Sequence, residues 1–260
     1  MRGTPTSAGP TARSLGLGQQ RWPKVDPGAA LLLVPVGSVE QHGPHLPLAT
    51  DTMIANAVTR AAAERLDTTG ATVLVAPSVS YGASGEHEGF PGTVSIGHEA
   101  LFLLLAEYGR SATRWASGVI FVNGHGGNTA TLTKVVDLLR YEGRAVAWTS
   151  TALPDSDAHA GEGETSVLRF LAPWSVRVDL MAPGATEPVA ELMPRLKADG
   201  VRSVSANGVL GDPTTSSVER GRELFELMVR NLVAELTALD VGQSGRLAGA
   251  APRREPLGTP

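Results

Sequence analysis

"GVIFVNGHGGNTATLTKVVDLLRY", Gly118 to Tyr141, sets a strand, a tight turn and a helix end to end. Its first part is a short run of branched apolar residues, Gly118–Asn123, which reads as a buried strand. "GHGGN" then turns the chain, and a helix is expected from about Asn128 to Tyr141. The pattern recurs in both directions. Upstream, "ALLLVPV" (Ala30–Val36) is a strand stopped by Gly37, and Asp51–Leu66 is a helix with Ile54, Val58, Ala61 and Leu66 at helical spacing. "ATVLVAP" (Ala71–Pro77) is another strand, followed by a long glycine-rich loop and a helix over roughly Gly97–Trp115. Downstream, "RAVAWTS" (Arg144–Ser150) is a further strand, with helices expected near Glu162–Leu171, Pro188–Ala198 and Val218–Leu236. Short apolar strands alternating with helices imply an α/β fold, a three-layer α/β/α sandwich on a mostly parallel sheet.

The 260 residues suit one body, expected over residues 28–239, with flexible tails at 1–27 and 240–260 where Gly, Pro, Ser and Thr accumulate. Net charge is −4 and no Lys/Arg cluster is dense enough to follow a phosphate backbone, so no nucleic acid is expected. No apolar run reaches the ~18 residues of a membrane span. The first residues lack the apolar core of a secretory signal, and a cytoplasmic location is the expectation. Cysteine is absent. Any metal must therefore be held by His, Asp, Glu or backbone oxygen.

Four polar clusters fall where the strands end. Glu40 and His42 follow the first strand, Glu86, His87 and Glu88 the second, His125 the third, and His159, Glu162 and Glu164 the fourth. Open α/β sheets build their sites along that carboxyl edge. Glu40 and His42 are one residue apart, so on extended chain both face one pocket. Asp51 also suits a helix N-cap, and Asn128 likewise. His45, between two prolines, reads as a positioning residue. Collected on one edge, Glu40, His42, Asp51, His125 and Glu164 make an all-N/O ligand set with more carboxylate than one zinc needs. That composition fits two divalent ions ~3.5–4 Å apart, and Fe²⁺, Zn²⁺ and Mn²⁺ all suit imidazole with carboxylate. His159 is the candidate for proton transfer, with Glu162 second. Glu86, His87 and Phe90, on a loop long enough to be functional, are candidates for substrate contact.

"VGSVEQHGPHLPLATD" (Val36–Asp51), "NGHGGN" (Asn123–Asn128) and "HAGEGETS" (His159–Ser166), in this order, resemble the creatininase family of metal-dependent amidohydrolases. The resemblance runs from about Leu31 to Leu236. It implies two divalent ions per subunit and a homo-oligomer, often a hexamer. Position by position, Glu40, His42, Asp51 and His125 match metal ligands, with Asp51 bridging. Glu164 matches a glutamate that faces the metals, and His159 a histidine that contacts substrate. The family's creatinine hydrolases carry a glutamate where this chain has Gly127, which makes creatinine a doubtful substrate and leaves Glu164 to complete the second site. "YGASGEHEGFPGTVSIG", "LLAEYGRSATRW" and "GVLGDPTTSS" are similar to the mycofactocin-system peptidases of that family. The substrate so implied is a modified ribosomal precursor peptide, cut to release its cross-linked C-terminal Val-Tyr pair. A small cyclic amide or formamide is the alternative within the family, and a metal-bound scaffold without turnover the alternative outside it.

Overall fold

The computed structural model describes residues 14–152 and 157–249; the outer parts of both expected tails, 1–13 and 250–260, lie outside them. Four strands, β1 (Leu31–Val36), β2 (Val73–Val75), β3 (Gly118–Asn123) and β4 (Val146–Ser150), pair in the order β2-β1-β3-β4, each pair parallel. The α-helices are α1 (Thr50–Asp67), α2 (Gly97–Ala112), α3 (Thr129–Tyr141), α4 (Glu162–Leu171), α5 (Val189–Asp199) and α6 (Val218–Ala238).

Because strand side chains alternate in direction, a continuous apolar strand serves two cores. In β1, Leu33 joins the core made with Ile54 and Val58 of α1, Val167 of α4 and Leu232 of α6. Its neighbours Leu32, Val34 and Val36 point into the opposite core, with Leu101 and Leu105 of α2 and Leu132 and Val136 of α3. Three layers result, helices on either face of the parallel sheet. Pro35 lies in a central strand, where a missing N–H normally costs a ladder bond. Its carbonyl accepts from Val79 N on the β2 side, and the β1–β2 ladder has already ended at Leu33 and Val75. The proline therefore sits where no regular partner is lost.

The two outer edges of the sheet are covered by residues read above as tail. Leu15 O accepts from Val75 N, and Gly16 bridges Val75. On the far side, Arg246 bridges Trp148, Leu247 N donates to Trp148 O, and Leu247 is buried. The packed body thus extends beyond 28–239. Bridges of one or two residues leave no periodic trace in a sequence, and they blunt edges that would otherwise invite pairing with another chain.

α4 and α6 approach closely at Gly221. A Cβ there would fall on Ser166 O and within 3.0 Å of Phe170 Cβ. Gly221→Ala is expected to lower stability by about 1–3 kcal/mol through overpacking. Urea melts would show this as a lower midpoint with an unchanged slope; an unchanged midpoint would mean the helices have slack.

Candidate metal centre

The loops after β1, β2, β3 and β4 converge on one edge. Asn128 ties three of them: its Oδ1 accepts from Ala83 N at 2.9 Å, and its Nδ2 donates to Gly37 O at 3.0 Å and to Asn123 Oδ1 at 3.3 Å. It sits at the N-cap position of α3 but makes no capping bond there. Asp51 likewise lies in the first turn of α1 without capping it; the N-cap is Ala49. Both residues were equally consistent with capping on sequence, and both are drawn instead into the site.

Glu40 and His42 are completely buried, and Asp51, His125 and His159 nearly so. Asp51 is divided between two imidazoles, with Oδ1 3.1 Å from His42 Nε2 and Oδ2 3.4 Å from His125 Nδ1. His125 Nδ1 is also 3.2 Å from Glu40 Oε1. Glu164 Oε2 lies 3.9 Å from His42 Nε2 and accepts from Ala160 N at 2.6 Å. Ala160 holds a left-handed backbone (φ 54°), the kind of local strain that collects at functional sites. Glu40, Asp51 and His125 offer donor atoms within 4.8 Å of one another; so do His42, His159 and Glu164, and so do Glu40, His87 and His159.

The ring orientations argue for cations. His125 Nε2 lies 3.1 Å from Ala83 O, and His42 Nδ1 lies 3.1 Å from Glu40 O. A carbonyl only accepts, so both of those nitrogens carry the proton. The nitrogens that face the carboxylates, His125 Nδ1 and His42 Nε2, are then lone-pair atoms in a neutral ring. Lone pairs against carboxylate oxygens at 3.1–3.4 Å repel unless positive charge lies between them. Both oxygens of Glu40, and Asp51 Oδ2, are buried without a hydrogen-bond partner among the described residues, a costly state for an unpaired carboxylate. Imidazole plus carboxylate suits a divalent transition ion. The donor set therefore fits metal, and Asp51 has the geometry of a carboxylate shared between two ions.

With protein groups alone, protons take that place. Burial disfavours charge on His42, but Asp51 beside it dominates, together with Glu164 and Glu40, and its pKa rises to about 10. His125 also reaches about 10 against burial, driven by Glu40 and then Asp51. Burial and the neighbouring Glu40 charge push Asp51 up to about 6. Glu40 is held well below the usual carboxylate range despite its burial, by His125, His87 and His42. A cation entering at pH 8 must displace the protons of both imidazoles, since both pKa values lie above that pH. Ion affinity should therefore rise with pH, and loading should release protons. Calorimetric heats of loading are expected to vary with the ionisation enthalpy of the buffer; heats independent of buffer would contradict this.

His159 stays neutral. Burial, with His42 adjacent, lowers its pKa to about 4. Its Nε2 lies 2.7 Å from Gln41 O and donates to it, which leaves Nδ1 unprotonated and 3.8 Å from Glu40 Oε1. Glu162 turns away, accepting from Ser166 Oγ and lying 3.5 Å from Arg220 Nε. His45 is buried and joined to Thr165 Oγ1 at 2.9 Å, a positioning contact outside the three donor groups.

A cavity of about 1060 Å³ opens over Asp51, His125 and His159 and is walled by Met193 and Leu196 of α5. Glu86 lines it, with Oε1 3.5 Å from His125 Nε2. A Cβ at Gly127 would meet His125 Nε2 at 2.4 Å, Ala83 O at 2.5 Å and Glu86 Oε1 at 2.7 Å, so a side chain there would have to shift the His125 ring and the Ala83 backbone as well as Glu86. His87 also lines the cavity, buried, with its Nε2 3.3 Å from Glu40 Oε1. One expected substrate contact needs correction. Phe90 is not among the cavity-lining residues; it packs with Leu192, Val201 and Leu210, under the guanidinium of Arg202. Sequence reasoning passed over Gln41 and read Asn128 only as a cap; both are neutral amides whose roles depend on where distant loops meet.

A family model described as creatininase, creatinine amidohydrolase, matches residues 19–236. The mycofactocin precursor peptide peptidase of Mycolicibacterium smegmatis is 51% identical over 233 residues, covering 89% of this chain and 94% of that protein. The creatinine amidohydrolase of Pseudomonas putida is 29% identical over 257 residues, covering 85% and 95%. Among solved structures, a manganese creatininase superposes with a TM-score of 0.73 at 27% identity, over 87% of this chain and 99% of that one. A variant creatininase of Zn–Zn type gives 0.72 at 26%, over 88% and 99%.

Proposed function

Because this chain belongs to the creatininase family, we propose that it hydrolyses one amide bond of the mycofactocin precursor peptide and releases the modified C-terminal Val-Tyr dipeptide, 3-amino-5-[(p-hydroxyphenyl)methyl]-4,4-dimethyl-2-pyrrolidinone. The chain is a hydrolase acting on C–N amide bonds. The observation that carries the substrate reading is the cavity. At about 1060 Å³ it slightly exceeds the ~300–1,000 Å³ typical of small-molecule sites, more than a single small ring requires.

In this reading Glu40, Asp51 and His125 would hold one divalent ion, and His42, Glu164 and Asp51 would hold the other. Fe²⁺, Zn²⁺ and Mn²⁺ are the proposed choices; relatives are known in Zn–Zn and Mn forms. When bound, such a pair supplies Lewis-acid polarisation of an amide carbonyl and brings water towards ionisation near pH 7. The protein's part is orientation and proton movement. His159 Nδ1, held unprotonated, takes a proton from the attacking water and returns it to the leaving amine. Glu86 lies where it can contact the bound peptide, and Phe90 supports the α5 wall from beneath. A homo-oligomer, a hexamer on the family's pattern, completes the proposal. No helix among the described residues is long and apolar enough to cross a membrane.

Steady-state kinetics with the modified precursor and creatinine side by side test the substrate. The peptide should be preferred in kcat/KM by on the order of 10³, the scale on which a site built for one substrate's groups rejects another. Comparable or reversed values would overturn the reading.

A further inference from the structure

Gln41 separates Glu40 from His42 and has no part in the chemistry above. Its amide is nevertheless buried and fully engaged. Oε1 accepts from Gly43 N at 2.9 Å, which settles the end of the amide that carries the two protons. Nε2 then meets two acceptors, Gly208 O at 3.0 Å and His87 Nδ1 at 2.9 Å. His159 Nε2 is also 3.0 Å away, but it donates to Gln41 O and accepts nothing. Since Gln41 donates to His87 Nδ1, that nitrogen is unprotonated and the ring proton is on Nε2. Nε2 faces Glu40 Oε1 at 3.3 Å.

We propose that Gln41 is a positioning residue that fixes His87 in its Nε2–H form, so that an N–H dipole rather than a lone pair faces the Glu40 carboxylate from 3.3 Å, a contact that orients it without a hydrogen bond. The acceptor at the far end comes from Gly208 in the "GVLG" stretch. Gly208 has a left-handed backbone (φ 81°), and a Cβ there would fall on the Gln41 amide. Only glycine fits that backbone so close to the Gln41 amide. Three segments far apart in sequence are thereby coupled to one ligand. Partners of this kind fix the orientation of metal ligands and tune affinity.

The inference rests on Glu40 being an ion ligand, and two readouts separate the layers. Ring ¹⁵N spectra of histidine-labelled, zinc-loaded protein should show His87 protonated on Nε2. A proton on Nδ1 would overturn the proposal, whatever any variant does. Gln41→Met, similar in size but unable to donate, should turn His87 into a tautomer mixture and weaken zinc binding by about 10–100-fold in calorimetric titrations. An unchanged His87 spectrum together with unchanged affinity would equally overturn it. If wild-type protein bound no zinc, the reading of Glu40 as a ligand would fail, and the His87 tautomer in the zinc-free protein would still decide the role of Gln41.

Discussion

Asp51→Asn should strip the centre of its ions and lower product release by on the order of a thousandfold or more, because a shared ligand supports both halves of the clamp. The geometry makes the case. Each Asp51 oxygen faces a different imidazole, at 3.1 and 3.4 Å. Asparagine keeps the size but gives one side a neutral carbonyl and the other an N–H that repels a cation. Elemental analysis after desalting should show both ions lost or greatly reduced relative to wild type. Loss of one ion with the other retained in full would show that Asp51 serves a single site. The fold should survive, since Asp51 makes no capping bond to α1.

Replacing His159 by glutamine has a different signature. Turnover should fall by about 10²–10⁴, the usual worth of a positioned acid–base group, while ion content stays near that of wild type. His159 stacks between His42 and His87, with ring centroids 4.3 and 4.4 Å away, and its Nδ1 is the unprotonated ring nitrogen at the cavity floor. Kinetics and metal content measured on the same preparation make the test. Retained turnover would move the proton-transfer role elsewhere; lost ions would make His159 a ligand.

The sheet was legible because strands buried on both faces need branched apolar runs, and the length and flanking glycines of "GVIFVN" separate a strand from a helix. Its bounds in the structure, Gly118–Asn123, are those read from sequence. The polar clusters were legible for a related reason: residues ending parallel strands share an edge whatever the loops do. Direction within the loops was not. Gln41 looked like a spacer, and only the arrival of Gly208 and His87 gives its amide partners. Phe90 looked like a substrate contact because an aromatic in a glycine-rich loop has no local core. Its apolar partners, Leu192 and Val201, come from α5 and just beyond it, about a hundred residues later. Asp51 and Asn128 satisfied local capping rules equally well, so local rules could not assign them.

The most direct test of the account is mass spectrometry of the modified precursor after incubation with two portions of one preparation, one loaded with divalent ion and one stripped by chelator. The account predicts the released dipeptide from the loaded portion alone, with activity restored when ion is added back to the stripped one. An intact precursor in both, with the loaded protein carrying its ions, would contradict it.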